Sequence, residues 1–97
     1  MTVEWSAYAS EHLQEIVRTI ALERGFAVAR KWKARLEGVT DQLAFLPQVG
    51  SIVREIGRDD IREVGFPPYR VIYRVLKDSC VIFAVLHSRQ AIAKDEF

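Results

Sequence analysis

The spacing of apolar residues changes once along this chain, across the "PQVG" of residues 47–50, and that change constrains the fold more than any motif does. Before it, Leu13, Ile16, Val17 and Ile20 stand at i, i+3, i+4 and i+7, one stripe of an amphipathic helix. Ala29, Trp32, Leu36, Val39, Leu43 and Leu46 then recur at spacings of three or four until Pro47 stops the pattern. The Ser6 hydroxyl is placed to accept a bond from an unpaired first-turn amide, and Gly25 suits the left-handed residue that ends such a helix. With about four residues or fewer between them, the two helices fold back as an antiparallel hairpin.

After Gly50 the period is two. "SIVREI", "IREVGF", "YRVIYRVL" and "SCVIFAVLHSR" read as strands over 51–56, 61–66, 69–76 and 79–89, separated by "GRDD", "PP" and "KD". The last pair leaves two loop residues, Lys77 and Asp78, between β-branched runs, which is hairpin spacing. "TVEW" at 2–5 alternates as well and reads as an edge strand. The expected architecture is α+β: an N-terminal strand and an antiparallel helical hairpin packed on an antiparallel β-sheet.

A chain of 97 residues holds one domain, here taken as 1–97. Its 49% hydrophobic and 28% charged residues are ordinary for a globular protein and set aside disordered and fibrous classes. No apolar run approaches the roughly 20 residues that span a bilayer. The opening "MTVEWSAYASEHLQEI" lacks the basic and apolar regions of a signal peptide, and the single Cys80 has no internal partner, so a cytoplasmic protein is expected. The net charge of +1 makes no global basic field, so any electrostatic site is local.

Such a site is suggested by "YRVIYRV", where Arg70 and Arg74 alternate with residues fit for burial. If Lys77 and Asp78 form the turn, Leu76 pairs with Ser79 and Arg70 with Val85. One face then carries Tyr69, Val71, Tyr73, Val75, Cys80, Ile82, Ala84 and Leu86, has no charge, and receives the helices. The other carries Arg70, Ile72, Arg74, Val81, Phe83, Val85, His87 and Arg89, with His87 diagonal to Arg70. Arg62, on the preceding strand, joins this set if its loop turns it the same way. Cations on an uncovered sheet face suit a phosphate-bearing partner, because arginine forks bind phosphate bidentately. A solvated strand face accounts for the same pattern. No metal-ligand cluster, glycine-rich phosphate loop or GxSxG elbow is present, no cofactor is implied, and His12 and His87 are expected in different settings.

The chain resembles the RelE/ParE toxin superfamily of bacterial type II toxin–antitoxin systems. "IREV", "YRVIYRV" and "VLHSR" carry the most specific part of that resemblance, which runs from "VEWSAYASEHLQEI" to "VLHSRQ". It implies a toxin of a plasmid-stabilisation type module, neutralised by a cognate antitoxin. ParE-like members inhibit DNA gyrase; RelE-like members cut messenger RNA on the ribosome. The departures from the RelE pattern favour a ParE-like member. Asp60 and Arg62 stand near a pair that RelE members carry as lysines, and "AIAKDEF" offers no tyrosine to stack on a base. On the ParE reading Arg62, Arg70, Arg74, His87 and Arg89 form a target-binding surface without chemistry. On the RelE reading Arg70 and Arg89 stabilise the phosphate and His87 is the acid or base. A degenerate member that only binds its antitoxin is a third expectation.

Overall fold

The computed structural model describes residues 1–96. β1 (Thr2–Trp5) leads into α1 (Ala7–Arg24), α2 (Phe26–Asp41) and a short 3₁₀ turn at Gln42–Ala44. β2 (Ser51–Ile52), β3 (Ile61–Phe66), β4 (Tyr69–Val75) and β5 (Ser79–His87) follow, then a 3₁₀ turn at Lys94–Glu96. The strands form one sheet in the order β1-β5-β4-β3-β2, so β4 is central. Neighbours are antiparallel except β1, which lies parallel to β5 at the sheet edge. The sheet is therefore mixed, because β1 and β5 run the same way with the helical hairpin and three strands between them. Among the described residues no helix is long and apolar enough to cross a membrane.

Local chemistry sets the helix ends. The Ser6 hydroxyl accepts the Ala9 amide at 3.0 Å, as expected of an N-cap, and donates to the Phe83 carbonyl of β5 at 3.0 Å. One side chain thus ends a helix and ties it to the sheet. Gly25 alone joins the helices: its amide bonds Ala21 of α1, and its carbonyl accepts Ala29 of α2. Its φ of 94° with ψ of 163° is positive as expected, but extended rather than left-handed helical. A side chain there is strained by the backbone alone, since nothing else lies within 4 Å.

Two elements are shorter than their apolar pattern. α2 stops at Asp41 and tightens to 3₁₀ before Pro47, leaving Phe45 and Leu46 exposed. Of "SIVREI" only Ser51 and Ile52 pair with β3; residues 54–56 turn away from the ladder, and Val53 and Ile56 are buried. That turn covers the sheet face that the alternation leaves open. Val53, Ile56, Ile61, Ile72, Ala84, Leu86 and Ile92 form a second apolar cluster there, opposite the helix-side core of Leu13, Leu36, Leu43, Val71, Tyr73, Cys80 and Ile82. β4 is consequently buried on both faces.

A bulge explains why Ala84 and Leu86 stand in the second cluster rather than under the helices. The β4–β5 hairpin starts in the expected register, with Leu76 donating to the Ser79 carbonyl at 2.8 Å and Arg74 opposite Val81. Tyr73 pairs with Ile82, but Ile72 pairs with Ala84, so β5 holds Phe83 as an extra residue. Every later β5 side chain changes face. Arg70 therefore pairs with Leu86, not Val85, and Tyr69 with His87.

The loop between α2 and β2 is pinned from beneath. The buried Tyr73 hydroxyl donates to the Pro47 carbonyl at 2.8 Å and accepts the Gly50 amide at 3.0 Å. Gly50 has no alternative there, since a Cβ would stand 2.5 Å from the Glu63 carbonyl oxygen and 2.7 Å from the phenol oxygen. Tyr73→Phe is expected to lower stability by about 1–3 kcal/mol, because it leaves the buried Gly50 amide without its acceptor. Urea unfolding of the two proteins measures it, and an unchanged midpoint would mean that the phenol does not hold the loop.

Candidate functional site

Arg70 lies on the face covered by the second cluster, and only 13% of its side chain is exposed. One guanidinium nitrogen donates to Glu55 Oε2 at 2.8 Å and to the Gln90 carbonyl at 2.7 Å. The other donates to Glu55 Oε1 at 3.1 Å and to Glu63 Oε2. Glu63 comes from β3, where the two-residue Pro67-Pro68 loop sets Gly65 opposite Arg70 and puts Glu63 diagonal to it. Glu55 comes from the turn after β2, and its Oε2 also receives the Ile92 amide at 3.4 Å. The hydrogen bond from Arg70 holds the Glu55 carboxyl at about 2, against its usual 4.5. The same bonds push Arg70 further above its ordinary value.

The other cations expected on this surface are also engaged. Arg74 donates to Asp60 at 3.1 Å, and Arg58 holds the same carboxylate bidentately at 2.7 and 3.0 Å. Burial draws the Asp60 carboxyl up, but the bonds from Arg58 and Arg74 outweigh it and keep it below its usual range. Arg62 pairs with Tyr73 in register and faces the helix side, away from Arg70. Its guanidinium bonds the carbonyls of Asp59 and Gly50 and the Asp59 carboxylate, so it ties together the loops on either side of β2.

His87 and Arg89 stand at the far end of β5, both exposed. The Phe83 bulge turns His87 away from Arg70 to the helix side, where its ring meets Tyr69 edge-on at 6.2 Å. The Arg89 amide donates to its Nδ1 at 3.4 Å. There His87 lines a cleft of about 290 Å³ with His12, Glu15, Thr19 and Gln90, so the two histidines share one setting, contrary to expectation. Among the described residues no group of three or more His, Cys, Asp or Glu is placed to hold a metal ion. Of the five residues expected to act together, then, Arg62, Arg70 and Arg74 stand in separate ion groups, and His87 adjoins Arg89 through the Arg89 backbone amide. Glu63 was legible as an acid diagonal to Arg70 once "PP" is read as a two-residue loop; Glu55, in a turn, carried no pattern.

The helical hairpin offers a different surface. A groove of about 920 Å³ runs between α1 and α2, floored by Leu13, Val17 and Ala29. At its mouth Leu22 and Phe26 are 81% and 79% exposed, and Arg18, Arg30 and Lys33 stand around it.

The model of the ParE toxin of type II toxin–antitoxin systems, parDE, matches residues 3–92. The chain belongs to the ParE toxin family. Among solved structures it is similar to a chain of the chromosomal ParDE TA system from P. aeruginosa, with a TM-score of 0.64 and 20% identity, over 90% of this chain and 95% of that one. At that identity the likeness is one of fold. No curated protein matches. As a ParE-family toxin the chain has an antitoxin partner by the definition of its system.

The arginine cluster of this ParE-family chain makes an acid-labile brace. Glu55 is depressed in the folded state, so its contribution is present above the unfolded value of 4.5 and is lost as pH falls toward about 2. Glu55→Gln is expected to lose on the order of 2 kcal/mol at neutral pH and to flatten the fall of stability between those two pH values. Unfolding free energy measured against pH tests both; parallel profiles for the two proteins would refute the brace.

Proposed function

We propose that this chain inhibits DNA gyrase as a protein ligand, without chemistry of its own, and is neutralised by an antitoxin segment lying in the groove between α1 and α2. One observation carries the choice of gyrase over messenger RNA. Arg70, the cation on which RNA cleavage would depend, is spent on Glu55 and Glu63 and is mostly buried. A phosphate would have to displace two carboxylates to reach it, and those carboxylates would repel the phosphate. His87, the candidate acid or base, stands on the other face of the sheet. A cleavage site needs cation and proton carrier around one phosphate.

On this reading Arg62 and Arg70 support the target-binding surface from within, while Arg74, His87 and Arg89 offer exposed groups to it. Arg74 lies at the opposite end of β4 from the His87 and Arg89 corner, so contacts with gyrase are spread along the sheet. The antitoxin segment suited to the groove is an amphipathic helix. Its apolar side would cover Leu22 and Phe26, and acidic residues would meet Arg18, Arg30 and Lys33.

Two measurements test these assignments. Toxin freed from its antitoxin is expected to stall gyrase supercoiling with accumulation of cleaved DNA complexes, and to leave message intact on programmed ribosomes. Codon-positioned cleavage with normal gyrase would overturn the target. Leu22→Asp with Phe26→Asp is expected to weaken antitoxin binding ~10-fold or more, since exposed apolar anchors carry most of such an interface. Both side chains are exposed, so the melting temperature should hold; calorimetric titration showing unchanged affinity would remove the groove from the antitoxin site.

A further inference from the structure

Among the described residues, six of the ten lysines and arginines without a carboxylate partner stand on the helical hairpin, and the others are Arg54, Lys77, Arg89 and Lys94. Arg58, Arg62, Arg70 and Arg74 each have a carboxylate partner. Among the described residues, Arg30, Lys31, Lys33 and Arg35 of α2 have none, and against them α2 carries only Glu37 and Asp41. These cations divide between two sides. Arg30 and Lys33 border the apolar groove already described. Lys31 and Arg35 turn to a second groove, of about 500 Å³, between the hairpin and the β3–β4 loop, where Arg24 joins them from the end of α1.

This second groove differs from the first in its floor. Trp32 meets Phe66 edge-on at 5.5 Å and Tyr69 at 5.7 Å, so the aromatic side chains fill one another's space. Pro67 and Pro68 form the opposite wall. Ile16, Ile20 and the exposed Val28 border these rings, and the rim carries three exposed cations, Arg24, Lys31 and Arg35, against one acid, Glu23. Lys31 and Arg35 are one helical turn apart, about 5–6 Å between Cβ atoms. Exposed, unpaired lysine and arginine in a row favour a polyanion held through its phosphates and not through side-chain pockets. The groove shares Ile16, Thr19 and Tyr69 with the separate His12 and His87 cleft, where Glu15 is a further acid.

We infer that Arg24, Lys31 and Arg35 form a contact surface for the backbone of duplex DNA, bound without sequence preference. The choice of DNA over RNA rests on the gyrase reading; the polyanion site itself does not. On a gyrase–DNA complex such a surface would hold the toxin to the DNA while other faces engage the enzyme and the antitoxin groove stays apart.

The test is fluorescence anisotropy of a labelled random-sequence duplex DNA with the full-length toxin alone, over a range of salt. Three phosphate contacts predict a slope of log K against log salt of about −2.7, at about −0.9 per phosphate. The triple variant Arg24→Ala, Lys31→Ala, Arg35→Ala is expected to lose most of that slope, about 1 per cation removed. Arg18→Ala, Arg30→Ala, Lys33→Ala removes equal charge from the other groove and should keep the slope. An equal fall in both triple variants would mean diffuse attraction and would overturn the site. So would absence of binding at low salt, tighter binding of duplex RNA, or displacement of DNA by poly-glutamate at equal charge, which would make it a surface for acidic protein. Gyrase supercoiling run in parallel separates the two readings: DNA binding by a toxin that leaves gyrase active keeps this inference and removes the other.

Discussion

Arg70 carries a charge that no protein interior removes, and it stands mostly buried on the central strand. Its neutralisation draws in the turn after β2 through Glu55, strand β3 through Glu63, and the segment after β5 through the Gln90 carbonyl. Those are also the pieces that carry Val53, Ile56, Ile61 and Ile92 into the second apolar cluster. The cluster and the ion group support each other. Apolar cover lowers the local dielectric and strengthens the pairs, while the pairs fasten segments too irregular to be held by a strand ladder. A guanidinium spent in this way fastens three segments to the central strand.

The Phe83 bulge decides what else reaches the surface. By adding one residue to β5 it sends Ala84 and Leu86 into the second cluster and turns His87 toward α1. The Ser6 hydroxyl bonds the carbonyl of that residue while capping α1, so the start of the helix and the irregularity of the strand are held by one group. The cation and imidazole that alternation would place together are thereby separated by the thickness of the sheet.

The helices then supply the accessible surfaces, one on each side of α2. Toward α1 there is an apolar groove with cations around it; toward the β3–β4 loop there is an aromatic floor bordered by Ile16, Ile20 and Val28, with cations at its rim. Helical periodicity produces this division, because residues 30 and 33 face one way and residues 31 and 35 another. A toxin that must meet both a target and an antitoxin is served by surfaces that do not compete for the same side chains.

Much of this was legible from the chain alone. The shift in period at residues 47–50, the Ser6 cap and the two-residue Lys77 and Asp78 turn are local: each depends on a few neighbouring residues, and each stands in the structure as the sequence implies, while Gly25 keeps the expected positive φ with an extended ψ. The family is legible for the same reason, since its pattern is written in the strands. What only the tertiary structure decided depends on residues far apart in sequence. Nothing in "SCVIFAVLHSR" marks Phe83 as the extra residue, because a bulge is chosen by how two strands and a capped helix fit together. Nothing in "SIVREI" announces that Glu55 will leave its strand to neutralise a charge 15 residues away. Alternation records which side chains share a face only while the ladder is unbroken, and charge records a possible partner without its position. The arginines of "YRVIYRV" therefore stand in ion groups whose acids the alternation alone does not reveal.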